Sequence, residues 1–249
     1  MNQKQPVIYR FESVGSTNQK LYEINKANPV ADFSVVVSHE QTAGRGQMGN
    51  SWESQPGKNL TFSIIIRPDF LPVHHQFRIT QVVTLALINV LNTYTQGISI
   101  KWPNDIYHHD KKMAGILIEN SLKGNQIEDS IIGIGLNVNQ TVFISDPPNP
   151  ISLKQITGKD YDTSLLLNQF ISEFVHTYYE WLASADDHLL HQRYMDHLYR
   201  KDGRHQFTDN NGTFSASIKE IQPSGHLVLE TASGELRNYA FKEVSFNQH

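Results

Sequence analysis

Four short runs of this chain concentrate the residue types that handle anionic or flat polar ligands. Gly44-Arg45-Gly46-Gln47-Met48-Gly49 is a glycine-rich loop carrying one cation. Successive backbone N–H groups in such a loop can form an anion-binding nest, to which Arg45 adds charge. Lys101-Trp102-Pro103-Asn104-Asp105 closes a short strand, because proline cannot donate to the ladder, and it sends polar side chains beyond the strand end. Lys112-Met113-Ala114-Gly115 sets a lysine before a strand weakened by small residues, a pattern that marks close approach of a ligand. Lys111 is expected to face solvent, since neighbouring strand side chains alternate. Gly133-Ile134-Gly135-Leu136-Asn137 puts two glycines and an asparagine on one face and an apolar set on the other. A floor of glycine would let a flat ligand lie on backbone.

The glycine loop matches G-x-G-x-x-G and nearly matches a P-loop. Both motifs need a helix directly after the loop, so that its N-terminus meets the phosphates. Here Asn50-Ser51-Trp52-Glu53-Ser54-Gln55-Pro56-Gly57 follows, then another strand, and Asn50 stands where a P-loop has lysine. Both readings fail, which leaves an anion nest or a plain hairpin connection. Ser16-Thr17-Asn18 taken alone is a helix cap.

Such residues need a positioning scaffold. A strand is expected over 7–12, a helical stretch after 16–18 to about 28 where Pro29 stops it, and strands over 33–38 and 60–67. Apolar residues at 79, 82, 83, 86, 87, 90 and 91 predict a helix over 76–94. Strands at 98–102, 113–119 and 127–138 follow, then a loop at Asp146-Pro147-Pro148-Asn149-Pro150 and helices at 163–184 and 187–199. Beyond Arg200 short strands alternate with turn signals, the texture of a small β-barrel. The expected division is a catalytic domain over 1–199 and a barrel over 200–249.

Composition narrows the function. The 249 residues carry a formal net charge of -4, so no general electrostatic footprint for nucleic acid exists. Cysteine is absent, which excludes disulfides, thiolate nucleophiles and Cys-type metal sites. The N-terminus lacks a secretory apolar run, and the stretch from Ile79 to Leu91 falls short of the roughly 18 residues of a membrane span. A cytoplasmic protein is expected. His74-His75 and His108-His109 project in different directions, and His188 and His191 lack accompanying carboxylates, so no metal ligands are assigned.

Together the STN segment, the GRGxxGxxW loop, KWPND, KxxGIL and GxGxN, in this order, resemble the bacterial biotin–protein ligases. The resemblance covers nearly the whole chain. It implies an α+β catalytic domain, a mixed sheet with helices packed on it, followed by an SH3-like barrel. It also implies a reaction that joins biotin to ATP, giving biotinyl-5′-AMP, and transfers biotin to one lysine of a biotin carboxyl carrier domain, with Mg²⁺ accompanying ATP. A carboxylate attacking a phosphate meets repulsion of about 4 kcal/mol at 4 Å and an effective dielectric near 20. By matching motif positions, Arg45 and Lys112 are the expected cations. The resemblance places biotin against Ser16, Thr17, Asn18, Gln41, Gly44, Arg45, Lys112, Gly115, Gly133 and Gly135. It places ATP or the adenylate against Arg45, Gly46, Gln47, Trp52, Lys101, Asn104, Lys112 and Asn137, with Trp52 packing on adenine. Asp105 is typed to orient the acceptor lysine or take its proton, an ammonium of pKa about 10.4 when free; the alternative is a carboxylate that caps the turn.

Where many relatives have arginine at position 47, and some at 50, this chain has Gln47 and Asn50, so the adenylate is expected to be held less tightly. A lipoate or octanoate ligase of related fold usually has another glycine motif with paired arginines. A biotin-sensing repressor would need a roughly 60-residue helix-turn-helix module before the STN segment, which begins at residue 16. Ligase activity without operator binding is therefore expected. A catalytically dead biotin-binding module is disfavoured by Arg45, Lys112 and Asp105. A homodimer is compatible with the resemblance.

Overall fold

A computed structural model defines the fold over residues 5–144, 149–184 and 187–247. The first half of the chain builds a seven-stranded sheet from β1 (Ile8–Val14), β2 (Val35–Gln41), β3 (Leu60–Ile66), β4 (Ile98–Lys101), β5 (Asp105–His108), β6 (Lys111–Lys123) and β7 (Gln126–Leu136). Their spatial order is β1-β2-β3-β7-β6-β5-β4. β1 and β2 are parallel, joined through α1 (Thr17–Ala27), and the other neighbours are antiparallel. Every residue of β3 is buried, which explains its nearly unbroken apolar run: Phe62 and Ile64 face the main core, while Ile65 faces the smaller core under Leu21 of α1.

The opposite face is covered by α2 (Phe77–Leu91), α4 (Thr163–Ser184) and α5 (Asp187–Asp196). α2 is buried at every residue but Asn89, because α4 and α5 pack on the side that its apolar stripe leaves free. Its polar residues are therefore paired: Arg78 Nη1 donates to Gln81 Oε1 at 2.9 Å, and Thr84 bonds back to the Thr80 carbonyl at 2.7 Å. Gln81 Nε2 lies 3.1 Å from His191 Nδ1 of α5, so the imidazole that fits this contact is the neutral one, accepting at Nδ1. No helix among the described residues is long and apolar enough to cross a membrane.

Several elements differ from expectation. No strand was expected over 105–108; Lys101 pairs opposite Asp105, and the turn at Trp102–Asn104, with a cis bond before Pro103, folds the segment into a hairpin. β6 starts at Lys111 rather than 113, because it has both β5 and β7 to pair with. α3 (Leu153–Thr157) was not expected and is held by a capping box of Ser152 and Gln155. α5 stops at Asp196, after which Tyr199 N–H bonds to the Ile100 carbonyl at 2.8 Å and covers the β4 edge. Of the loop expected over 146–150, Asp146, Pro147 and Pro148 lie outside the described residues.

The C-terminal strands β8 (His205–Asp209), β9 (Gly212–Ile221), β10 (Leu227–Thr231), β11 (Leu236–Tyr239) and β12 (Ser245–Phe246) form an antiparallel sheet in the order β11-β10-β9-β8-β12. This SH3-like arrangement is not the closed barrel expected: β11 and β12 remain its two edges, and β12 contributes only two residues. Phe207, Leu227, Leu229 and Tyr239 share one continuous core with the main sheet and its helices. Trp102 Nε1 donates to the Gly225 carbonyl at 2.8 Å, and Gly225 (φ 92) packs against Phe77, where a Cβ would come within 2.7 Å of the ring.

Two stability effects follow from these contacts. Asn18 of α1 docks on the backbone of β7: a Cβ at Gly133 would sit 2.2 Å from Asn18 Oδ1. Gly133→Ala is expected to destabilise the protein by about 1–3 kcal/mol in chemical denaturation; an unchanged midpoint would show that α1 can shift freely. Burial first, and then the Arg78 guanidinium, hold the His191 imidazole below its ordinary range. The unfolded chain therefore takes this proton more readily than the folded one, so the contribution of His191 is complete above pH about 6.5 and is lost as pH falls below it. Thermal melts between pH 7.5 and 5.5 should show a smaller drop in His191→Gln than in the wild type; equal drops would remove His191 as a source of acid sensitivity.

Candidate active site

The seven-stranded sheet, the glycine loop and Phe241, in the turn between β11 and β12, line a cavity of about 570 Å³. Its floor is the backbone of β6 and β7, where Gly115 stands opposite Gly135 and Gly133 opposite Leu117. The Trp52 indole lies on this floor. A Cβ at Gly135 would come 2.3 Å from Trp52 Cε2, and one at Gly115 would come 3.2 Å from Cζ3. The flat group that the glycines admit here is thus a side chain of the loop itself.

The loop is a narrow hairpin rather than an open nest. Gly46 N–H bonds to the Asn50 carbonyl at 2.7 Å and Trp52 N–H to the Gly44 carbonyl at 3.0 Å, with a single 3-10 turn at Gln47–Gly49. Glu53 fastens its far end: it accepts from Gln140 Nε2 at 2.9 Å and from the Ile144 N–H at 3.0 Å. Gln140 is fully buried, and its carbonyl oxygen also accepts from Gln55 N–H and Asn59 Nδ2.

At one end of the floor Lys112 Nζ and Asp105 Oδ1 form an ion pair at 2.8 Å, both side chains about one-fifth exposed (20% and 22%). The β4–β5 hairpin presents Asp105, and Asn104 beside it is buried, with its amide donating to the Ile116 carbonyl. Asn137 is buried, and its Nδ2 reaches the Lys112 carbonyl at 3.4 Å.

At the other end a chain of polar groups runs under the cavity. Gln41 Oε1 accepts from Thr17 N–H at 2.8 Å and Thr17 Oγ1 at 3.0 Å. Ser63 Oγ lies 2.7 Å from Thr17 Oγ1 and 2.5 Å from Asn18 Oδ1. Asn18 Nδ2 donates to Glu119 Oε2 at 2.7 Å, and the same oxygen accepts from Arg45 Nη2 at 3.2 Å. Ser16 occupies the N-cap position of α1 but makes no capping bond with its side chain, which lines the cavity instead. With side chains 46% and 44% exposed, the Arg45–Glu119 pair adds only about 0–1 kcal/mol to stability.

Of the expected residues, Ser16, Thr17, Asn18, Gln41, Arg45, Gly46, Gln47, Trp52, Asn104, Asp105, Lys112, Gly115, Gly133, Gly135 and Asn137 line the cavity. Two are set apart. Gly44 backs the Trp52 carbonyl, which a Cβ would approach to 2.8 Å. Lys101 donates to the Tyr107 hydroxyl at 3.0 Å and sits 5.6 Å from the Phe246 ring centre, where burial holds its ammonium below the ordinary lysine range. Ser63, Glu119, Glu53, Gln140 and Phe241 join the site or its supports without having been expected. Glu119 was legible, since positions 115, 117 and 119 share one strand face. Ser63 was a polar residue in an apolar strand, and Phe241 gave no sequence signal.

The ionisable side chains lining the cavity are Arg45, Lys112, Glu53 and Asp105, so cations and carboxylates balance. Three buried atoms on its walls, Trp52 Nε1, Asn137 Oδ1 and Gln47 Oε1, have no hydrogen-bond partner among the described residues. Each such atom costs about 1–3 kcal/mol, and together they mark a surface built to be completed by a polar ligand.

Known proteins are similar to this chain in sequence and fold. Residues 10–137 match the biotin/lipoate A/B protein ligase family. The bifunctional ligase/repressor BirA of Bacillus spizizenii is 31% identical over 245 residues, covering 95% of this chain and 73% of that protein. The biotin–[acetyl-CoA-carboxylase] ligase of Paracoccus denitrificans is 28% identical, covering 69% and 71%. The biotin protein ligase from Aquifex aeolicus, solved in complex with biotin and ATP, superposes with a TM-score of 0.80 at 25% identity, covering 98% of this chain and 99% of that one. The match spans more than half of the chain, from β1 through the glycine floor, and the chain belongs to the biotin/lipoate A/B protein ligase family.

Proposed function

We propose that the protein is an ATP-dependent biotin–protein ligase whose reaction runs along the glycine floor, from the Thr17–Gln41 end to the Lys112–Asp105 end. The observation that carries this reading is the convergence of five sequence-distant motifs on one cavity, of a size usual for small-ligand sites and walled by unsatisfied polar atoms. The Ser16 hydroxyl and the amide of Gln41 are placed to hydrogen-bond a planar ureido head. The acid's carboxylate would then lie toward the Lys112 ammonium.

In the first step a biotin carboxylate oxygen attacks the α-phosphorus of ATP; the new O–P bond forms as the bond to pyrophosphate breaks. Lys112 offsets the repulsion between these anions, exchanging its contact with Asp105 for one with the substrates. Mg²⁺ enters as the counter-ion of the triphosphate. In the second step the neutral amine of the acceptor lysine attacks the biotinyl carbonyl carbon and AMP leaves. Asp105, freed as Lys112 turns to the substrates, is placed to orient the incoming ammonium and take its proton. The acceptor is a biotin carboxyl carrier domain, and the reaction is assigned to the cytoplasm. The functional division falls near residue 200, with Phe241, in the turn between β11 and β12, on the cavity wall.

ATP–pyrophosphate exchange with purified protein should depend on biotin and fall by about 10²–10³ in Lys112→Ala. Exchange supported by lipoate or octanoate instead would move the chain to the sister branch of the family, and no exchange with any of the three acids would leave a binding protein. Gln47 presents an unpaired carbonyl where a guanidinium could contact phosphate. Gln47→Arg should therefore slow biotinyl-AMP dissociation roughly tenfold, the worth of one charge-assisted hydrogen bond; equal dissociation rates would sink this account of adenylate retention.

A further inference from the structure

Arg45 and Lys112 were expected to meet on one phosphate, but their charged heads lie at opposite ends of the floor. Lys112 Nζ lies over Gly115, 3.4 Å from where a Cβ would stand. The Arg45 guanidinium is bonded to Glu119, four residues further along β6, about 13 Å of strand at roughly 3.3 Å per residue. Glu119 faces the same way as Gly115 and Leu117, yet it lies past the cavity, where it joins two separate elements: Asn18 of α1 and Arg45 of the glycine loop. Asn18 is almost fully buried, pinned by Ser63, by the Leu117 carbonyl and by the missing side chain of Gly133. Its amide is therefore a fixed donor, and it fixes the Glu119 carboxylate in turn.

We infer that Glu119 is a positioning residue: with Arg45 it forms a clasp that fastens the glycine loop to the Thr17–Asn18 end of the cavity, so that Arg45 shapes the biotin pocket and does not touch the phosphates. This rests on the ligase reading above. Through Asn18 and Ser63 the clasp is continuous with Thr17 and Gln41, so the position of the loop and the orientation of the donors for the ureido head are set by one hydrogen-bonded chain. The proposal assigns both charges of the pair to one task, and that makes it testable by their mutual dependence.

Glu119→Gln keeps an acceptor for Asn18 and removes the charge facing Arg45; Arg45→Gln removes the other half. In biotin-dependent exchange each should raise the KM for biotin about tenfold while moving kcat and the KM for ATP much less, and the double variant should be no worse than either alone. Arg45→Lys, which keeps the charge, should restore most of the loss. A contact between Arg45 and phosphate predicts the reverse pattern: Arg45→Gln would lower kcat or raise the KM for ATP, Glu119→Gln would not, and effects that add in the double variant would equally overturn the clasp. A second measurement needs no catalysis. Trypsin cutting after Arg45 should be several-fold faster in ligand-free Glu119→Gln than in the wild type, with unchanged cleavage elsewhere; equal rates at Arg45 would overturn the clasp. If the wild type shows no biotin-dependent exchange, the ligase reading fails while the tryptic comparison still decides whether Glu119 holds the loop.

Discussion

The site depends on strand backbone being approached more closely than any Cβ permits. Gly133 and Gly135 alternate with Ile134 and Leu136, so one strand serves a packed core on one face and a bare surface on the other. The antiparallel register sets Gly115 of the neighbouring strand against Gly135, which doubles the width of that surface. Glycine ordinarily weakens a strand interior. Here the strands are central, paired on both sides and backed by α2, so the sheet tolerates the loss of side chains and gains a flat floor.

That floor explains how polar groups are distributed above it. Thr17, Asn18 and Ser63 are buried, and burial is tolerable only because each is bonded to the next and the series ends at Gln41 and Glu119. A satisfied chain of this kind holds its members rigidly, which suits donors that must discriminate a ring nitrogen from a carbon. The unsatisfied atoms lie instead on Trp52, Gln47 and Asn137, on the loop and at the Lys112 end. Rigidity and incompleteness are thus separated in space: the hydrogen-bonded chain lies at the end proposed for the biotin head, and the open valences lie where a nucleotide would arrive and the loop would have to change.

Much of this was legible because the residue types that do chemistry here are also the ones that disrupt regular structure. Gly44, Pro103, Gly115 and Gly135 interrupt otherwise predictable strands, and fifteen of the residues that the family resemblance implied line one cavity. β1, α1, α2 and α4 followed from periodicity and breakers within a few residues, while beyond Arg200 only the alternation of short strands and turns was expected, without bounds. β5 was not legible, since four residues after a proline carry too short a pattern, and its existence depends on β6 being there to pair with it. The closed barrel was not a safe reading either, because closure depends on how many residues the last strand contributes. Lys101 was misplaced for a geometric reason: it stands opposite Asp105 on the same face of the hairpin, but its long side chain ends on the Tyr107 hydroxyl and beside Phe246, and motif membership says nothing of where a long side chain ends.

The C-terminal sheet has a structural stake in the same chemistry. Trp102 and Asp105 belong to one tight hairpin, and the outer member, Trp102, is bonded to Gly225 and packed edge-on against Phe241. The inner member, Asp105, holds Lys112. A hairpin of two four-residue strands with a three-residue turn has little rigidity of its own. It is held by β6 on one side and by the C-terminal sheet on the other, with Tyr194 of α5 donating to the Pro103 carbonyl at 3.1 Å beneath the turn. The position of the ion pair is therefore a property of both sheets together, and the continuous core that joins them is what lets a module that, among its described residues, puts only Phe241 on the cavity wall influence the geometry inside it.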